Sequence, residues 1–484
     1  MEKCGVLLPV FSLCGEYGIG SFGREAREFI DFLAAGEQDF WQVLPLTRAD
    51  KSGSPYSSES AFAGDTDYID LPSLVENGLL NESETATLKS SDARVARQRE
   101  KRKQLLETAF SRFAADSNYE SFVEKQGYWL NDYALYMALK EVIGFDWIDW
   151  DDRYRLRDKT ALEQFERENK NKVDFYRFVQ YLFDSQWQAL RLYAASKKIE
   201  IIGDMPIYVC YESADVWSHP ELFVLGEDMS PSLVAGCPPD GFTPDGQLWG
   251  NPVYDWQKNE ESGFKWWLDR FGRNADLYDI VRLDHFRGFE SFFAVKSGEK
   301  TARRGEWMPG PGMRLFERVR QKFPRMEIVA EDLGFITDEV RELIKKTGYP
   351  NMKVLQFGLD GGKKNEHYPK NYSFECVAYT GTHDNNTAAG MYGELSLLKK
   401  AKVRRLVKAG FSEKFSRAAI RMLFDSKAKY VIVPYTDWID CGKEGRINTP
   451  GSVSAANWSW RMRECPSLSI AEQMAQIKNR YKVK

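Results

Sequence analysis

Short apolar runs that each end in a polar cluster recur along the chain. Residues 40–46 (FWQVLPL), 200–203 (EIIG), 280–283 (IVRL), 327–330 (EIVA), 353–357 (KVLQF), 375–380 (ECVAYT) and 430–434 (YVIVP) are apolar with little alternation. That is the pattern of parallel strands buried on both faces. Helical periodicity fills several of the intervals, among them 312–323 and 337–346. Repeated strand–helix alternation predicts an α/β fold, and seven such strands point to a (β/α)8 TIM barrel with one strand unplaced. A doubly wound open sheet is the competitor, but no G-x-G-x-x-G fingerprint follows any of the runs.

Two stretches interrupt the alternation. Residues from about 74 to 196 are rich in Glu, Lys, Arg, Gln, Ala and Leu and predict a mostly helical insertion. Residues from about 208 to 256 are rich in Gly, Pro and aromatics and predict a loop-rich insertion covering the active site, since loops of that length in a compact domain carry function. No internal repeat, low-complexity tract or linker is visible, so residues 1–484 are expected to form a single catalytic barrel domain.

Composition narrows the partners. Sixty-seven basic against 71 acidic residues leave a net charge of −4, which gives no electrostatic case for nucleic acid or an anionic membrane. The basic run 97–103 (RQREKRK) reads as a solvated helix face. Seven scattered cysteines lack C-x-x-C spacing, so reduced thiols and a cytoplasmic location are expected. The apolar stretch 5–13 is broken by Pro9 and has no basic leader, so it does not resemble a signal peptide, and no run is long enough to span a bilayer. With only four histidines, no metal site is expected. Aromatics reach 14%, including 14 Trp and 23 Tyr. Rings beside Asp, Asn and Gly suit the flat faces and hydroxyls of sugars, although a large core accounts for the same surplus.

In a β/α barrel the chemistry lies at the C-terminal ends of the strands. Asp204 follows EIIG, Asp284 follows IVRL, Glu331 and Asp332 follow EIVA, and Asp384 follows AYTGTH. Converging there, they would form a cluster of carboxylates with perturbed pKa values. A divalent cation is one occupant of such a cluster, but no phosphate cradle accompanies it. Sugar chemistry fits better. Arg282 shares a strand side with Asp284 and would keep it ionised, as a nucleophile requires. Glu331 is the candidate acid with a raised pKa. Retaining glycoside cleavage needs this pair, roughly 5–5.5 Å apart. Each residue also has a plainer account: Arg282–Asp284 as a structural ion pair, His285 and His383 as structural, Asp384 as a helix cap.

Longer motifs carry a resemblance. V-R-L-D-H-F-R-G-F (281–289), A-E-D-L-G (330–334), G-T-H-D-N-N-T (381–387), S-P-Y-S (54–57), G-D-M-P-I-Y-V (203–209), C-P-P-D-G-F-T-P-D-G-Q-L-W-G-N-P (237–252), R-I-N-T-P-G (446–451) and N-W-S-W-R (457–461) resemble the 4-α-glucanotransferases of the amylomaltase family, glycoside hydrolase family 77. The resemblance implies Asp284 as nucleophile, Glu331 as general acid/base and Asp384 as the carboxylate gripping the donor sugar. It implies sugar contacts from Arg282, His285 and His383, and a glucan groove including Tyr56, Asp204, Gln247, Trp249, Asp360 and Asn448. The implied reaction moves a segment of an α-1,4-glucan (maltooligosaccharide, amylose or glycogen-derived chain) to glucose or a maltooligosaccharide acceptor, with no redox step and no cofactor. Phe242 and Trp249, flanking Gln247, are expected to help keep water from the intermediate. Two rivals remain at this point: an α-amylase-type hydrolase, and a catalytically silent glucan-binding protein, which would be expected to have lost one of the three acids.

Overall fold

Eight parallel strands close into a barrel in the computed structural model, which describes residues 1–49, 53–89, 98–239, 243–360 and 362–481, except for the side chains of 360 and 362. In chain order the strands are β1 (Lys3–Leu7), β2 (Phe40–Gln42), β3 (Glu200–Met205), β4 (Leu233–Cys237), β5 (Gln247–Pro252), β6 (Ile280–Leu283), β7 (Ser291–Lys296), β8 (Glu306–Pro309), β9 (Glu327–Ala330), β10 (Asn351–Val354), β11 (Cys376–Tyr379) and β12 (Tyr430–Pro434). The barrel order is β1-β12-β11-β10-β9-β6-β3-β2, and β1 closes it by pairing with both β12 and β2. This is the (β/α)8 barrel, and β1 is its unplaced strand. Its sequence, KCGVL, carries one β-branched residue and a glycine, a weak strand signal. The glycine is needed: a Cβ on Gly5 would stand 2.4 Å from the Cβ of Phe40 on β2.

Leu7, Phe40, Ile202, Ile280, Val329, Val354, Val377 and Ile432 form one buried cluster within the barrel. Amphipathic helices pack outside it. Asp338–Thr347 buries Val340, Leu343 and Thr347, one face of a 3.6-residue period. Its first turn carries Asp338 and Glu339 and its last Lys345 and Lys346, charges that complement the helix dipole. The run 353–357 is not all strand: β10 ends at Val354, and Leu355–Asp360 continues directly as a helix that buries Leu355 and Leu359. A short apolar run cannot by itself distinguish these two states.

Within 74–196, the helices Ser117–Ile143 and Lys170–Ser196 lie side by side, joined by Tyr176 Oη donating to Glu141 at 2.8 Å. Gln180 on the second helix exchanges hydrogen bonds with both the N–H and the C=O of Gly64 (2.8 and 3.0 Å), fixing the loop that carries Tyr56. The basic run is not a solvated face throughout. Arg97 lies outside the described residues, whereas Arg102 is buried and donates to the carbonyls of Asp67 and Ile69, both at 2.9 Å. The stretch 208–256 is likewise not loop throughout. It supplies β4 and β5 to an antiparallel sheet of order β5-β4-β7-β8. Gly and Pro within LVAGC and QLWGNP lower their apparent strand propensity. Among the described residues no helix is long and apolar enough to cross a membrane.

Candidate active site

Period-two alternation aims the acids. Ile202 and Ile280 belong to the cluster inside the barrel, so Asp204 and Arg282, two residues on, point the same way. They are also register partners across β3 and β6. Arg282 Nη1 donates to both oxygens of Asp204 (2.7 Å each) and to Asp284 Oδ1 (3.0 Å). Tyr56 Oη donates to Asp204 Oδ2 at 2.7 Å. The Asp204 side chain is fully buried, while that of Asp284 is 25% exposed. Burial works against the Arg282 charge, but Asp204 and Asp284 override it and hold the guanidinium protonated well above its ordinary range. One buried cation thus serves two carboxylates, the inner one committed to protein partners and the outer one open to the cleft.

Glu331 comes from the adjacent strand. Val329 faces the barrel interior, so Glu331 does too, and Asp332 turns away to accept from Asn351 Nδ2 (2.9 Å) and the Met352 N–H (2.8 Å). The five strand-end candidates therefore lose Asp332, whose partners lie on β10. Backbone pairing continues past the strand ends: Glu331 N–H donates to Leu283 O and Phe286 N–H to Glu331 O, both at 3.0 Å. His285 adopts a left-handed conformation (φ 48°), which is costly for a non-glycine residue. In that turn its N–H donates to Glu331 Oε2 at 2.7 Å, and the Leu333 N–H donates to Oε1 at 2.7 Å. Burial, with the negative charge of Asp284, outweighs Arg282 and these two donors and raises the Glu331 carboxyl to about 7. Burial also lowers the His285 imidazole to about 4, so the ring is neutral near pH 7.

Across the barrel mouth, Asp384 follows β11. Burial opposes its ionisation, but the His383 imidazole, with Nε2 at 3.3 Å from Oδ2, and the Asn448 amide, donating to Oδ1 at 2.6 Å, bring it down to about 2. Asp384 does not cap the next helix; Thr387 does, accepting from the Gly390 N–H. The turn is clamped by Asp437, which accepts from Thr380 Oγ1 (2.5 Å) and the Ala388 N–H (2.7 Å). Arg446 donates to Asp384 O and Asn448 O (2.8 and 2.7 Å), tying the C-terminal strap to the same turn.

Rings complete the walls. Tyr56 stacks on His383 at 5.1 Å and 19°, and Trp458 lies 5.9 Å from each. On β5, Gln247 and Trp249 share a face, and Trp249 Nε1 donates to Gln247 Oε1 at 3.1 Å. Trp249 is 36% exposed and meets His285 edge-on at 4.9 Å. The structure thus brings Tyr56, Asp204, Arg282, Asp284, His383, Asp384 and Asn448 into one connected network, with Glu331, His285, Trp249 and Gln247 beside it. The Asp360 side chain and Phe242 lie outside the described residues. Asp437 and Trp458 were missed by the strand-end rule. Trp458 sits in the N-W-S-W-R motif, and that motif was its only sequence signal.

The comparisons agree with this geometry. The 4-alpha-glucanotransferase family matches residues 8–468. The 4-alpha-glucanotransferase of Clostridium butyricum is 43% identical over 467 residues, covering 94% of this chain and 96% of its own, and that of Aquifex aeolicus is 43% identical, covering 96% of both. An amylomaltase from Streptococcus agalactiae, solved in complex with acarbose, superposes with a TM-score of 0.96 at 36% identity and covers 99% of both chains. By sequence over almost its whole length and by fold, the chain belongs to the 4-alpha-glucanotransferase family.

Proposed function

We propose that this enzyme transfers a segment of an α-1,4-glucan to the 4-hydroxyl of an acceptor glucan or glucose by a retaining double displacement. Glu331 gives its proton to the glycosidic oxygen as Asp284 attacks the anomeric carbon; the C–O bond to the leaving chain breaks and an ester to Asp284 forms. Glu331, now ionised, takes the proton of the acceptor hydroxyl while that oxygen displaces Asp284. Asp384, ionised down to about pH 2, holds donor hydroxyls with Asn448 and His383. Asp204 acts behind Arg282, and neutral His285 hydrogen-bonds to the sugar. Residues 74–196 and 208–256 are insertions in one catalytic unit, the second placing Gln247 and Trp249 as a cover that favours sugar over water.

The observation that carries this reading is the division between two neighbouring carboxyls: Glu331 retains its proton to about 7, while Asp284 is salt-bridged to Arg282 at 3.0 Å. A carboxyl that keeps its proton, beside one paired with a fixed cation, is the arrangement a retaining mechanism uses. Incubation with maltotriose tests it. A ladder of longer maltooligosaccharides with glucose is expected; maltose and glucose without elongation would mean an amylase-type hydrolase, and no turnover a binding protein.

A further inference from the structure

Arg287 follows Asp284 by three residues and Phe335 follows Glu331 by four, so both leave the barrel beside the reacting pair. Arg287 Nη1 donates to Phe335 O at 2.5 Å and Nη2 to Ser291 Oγ at 3.3 Å. Its guanidinium carbon lies 3.6 Å from the ring centre of Trp307 on β8 and 5.5 Å from that of Phe335. The two rings are 21° from parallel with centroids 6.4 Å apart, and Phe293 packs edge-on against Trp307 at 5.2 Å. Despite these contacts Trp307 is 38% and Phe335 65% exposed. Single exposed rings are ordinary; two aligned rings braced by an arginine already committed to backbone and hydroxyl partners form a fixed surface.

Its position decides its ligand. A general acid stands beside the leaving-group oxygen, so the loops leaving β6 and β9 past Glu331 border the sugar that departs, and later the one that arrives. The donor-side groups Tyr56, His383 and Asp384 come from other parts of the ring, after β2 and β11. We propose that Trp307 and Phe335, braced by Arg287, form the acceptor-side platform on which glucosyl units of an incoming α-1,4-glucan stack their C–H faces. This rests on the transferase reading above.

The test uses α-maltosyl fluoride as donor, with the initial burst of fluoride release, up to one equivalent per enzyme, reporting the first displacement, and maltotriose as acceptor. In Trp307→Ala and Phe335→Ala the acceptor KM is expected to rise about tenfold, the loss of one ring's stacking, while fluoride release without acceptor stays within about twofold of wild type. Trp307→Phe should restore most of the acceptor affinity. Acceptor KM unchanged in both alanine variants, or fluoride release falling in parallel with transfer, overturns the platform. Wild-type enzyme that releases fluoride but elongates no acceptor overturns the transferase reading itself, and the platform with it.

Discussion

Replacing Glu331 by Gln separates what this carboxyl does for catalysis from what it costs the fold. Glu331 is 8% exposed, and its carboxyl titrates at about 7 instead of the ordinary 4.5. Between those values the folded chain holds a proton that the unfolded chain has released. Stability therefore falls as pH rises through this window and levels off above about 7. The difference, 7 less 4.5, amounts to about 3 kcal/mol at about 1.36 kcal/mol per unit. Gln does not titrate, so the variant escapes this loss. It has one acceptor oxygen for the two N–H groups of His285 and Leu333, a pH-independent cost of about 1–3 kcal/mol. The stability difference, variant minus wild type, should thus move by about 3 kcal/mol in the variant's favour between about pH 5 and about pH 8. For 484 residues the unfolding entropy is about 1 kcal/mol/K, so the gap between melting midpoints should shift by about 3 °C. Scanning both proteins at one heating rate and both pH values measures it, and titrating groups remote from Glu331 cancel in the difference. Wild-type kcat/KM should fall as pH rises past about 7, because the acid must carry its proton, and the variant's kcat should be down by about a hundredfold or more. A midpoint gap that does not change with pH would refute the raised carboxyl.

Three further substitutions probe the network. Asp284→Asn should lose about four orders of magnitude in turnover with its melting midpoint nearly unchanged; activity that survives exclusion of contamination and deamidation would rule out the nucleophile. Arg282→Met leaves the fully buried Asp204 without its countercharge and should cost about 3–5 kcal/mol in denaturant unfolding, partly recovered by adding Asp204→Asn; a loss under about 1 kcal/mol would mean the pair is structurally idle. Trp249→Ala removes the ring set edge-on to His285 at 4.9 Å and should raise the hydrolysis-to-transfer ratio on maltotriose; an unchanged ratio would end the case for a cover.

What the sequence made legible follows the range of each interaction. IVRL and EIVA announce β6 and β9 through their own residues, and the acids after them are one step away. KCGVL does not announce β1, which becomes a strand because β12 and β2 flank it. Asp437 follows β12, the neighbour of β11, by three residues, whereas Trp458 reaches the site from the chain beyond the last barrel strand, and no strand pattern carries that. The same limit applies inside the site. Arg282 on β6 and Asp284 directly after that strand lie two apart in extended chain, so their shared side holds whichever face the strand presents, and the 3.0 Å contact is foreseeable. The choice between Glu331 and Asp332 was not of this kind. A strand apolar on both faces has no internal phase, and only barrel closure, which turns Val329 inward, sends Glu331 to the centre and Asp332 to β10. The tighter contact of Arg282, to Asp204 at 2.7 Å, depends in turn on the register between β3 and β6. A slip of one residue there would face Arg282 with Gly203 or Met205 instead, leaving a buried guanidinium without its inner carboxylate. The register of two strands is thus part of the catalytic machinery, since it decides whether the charge beside Asp284 is held in place.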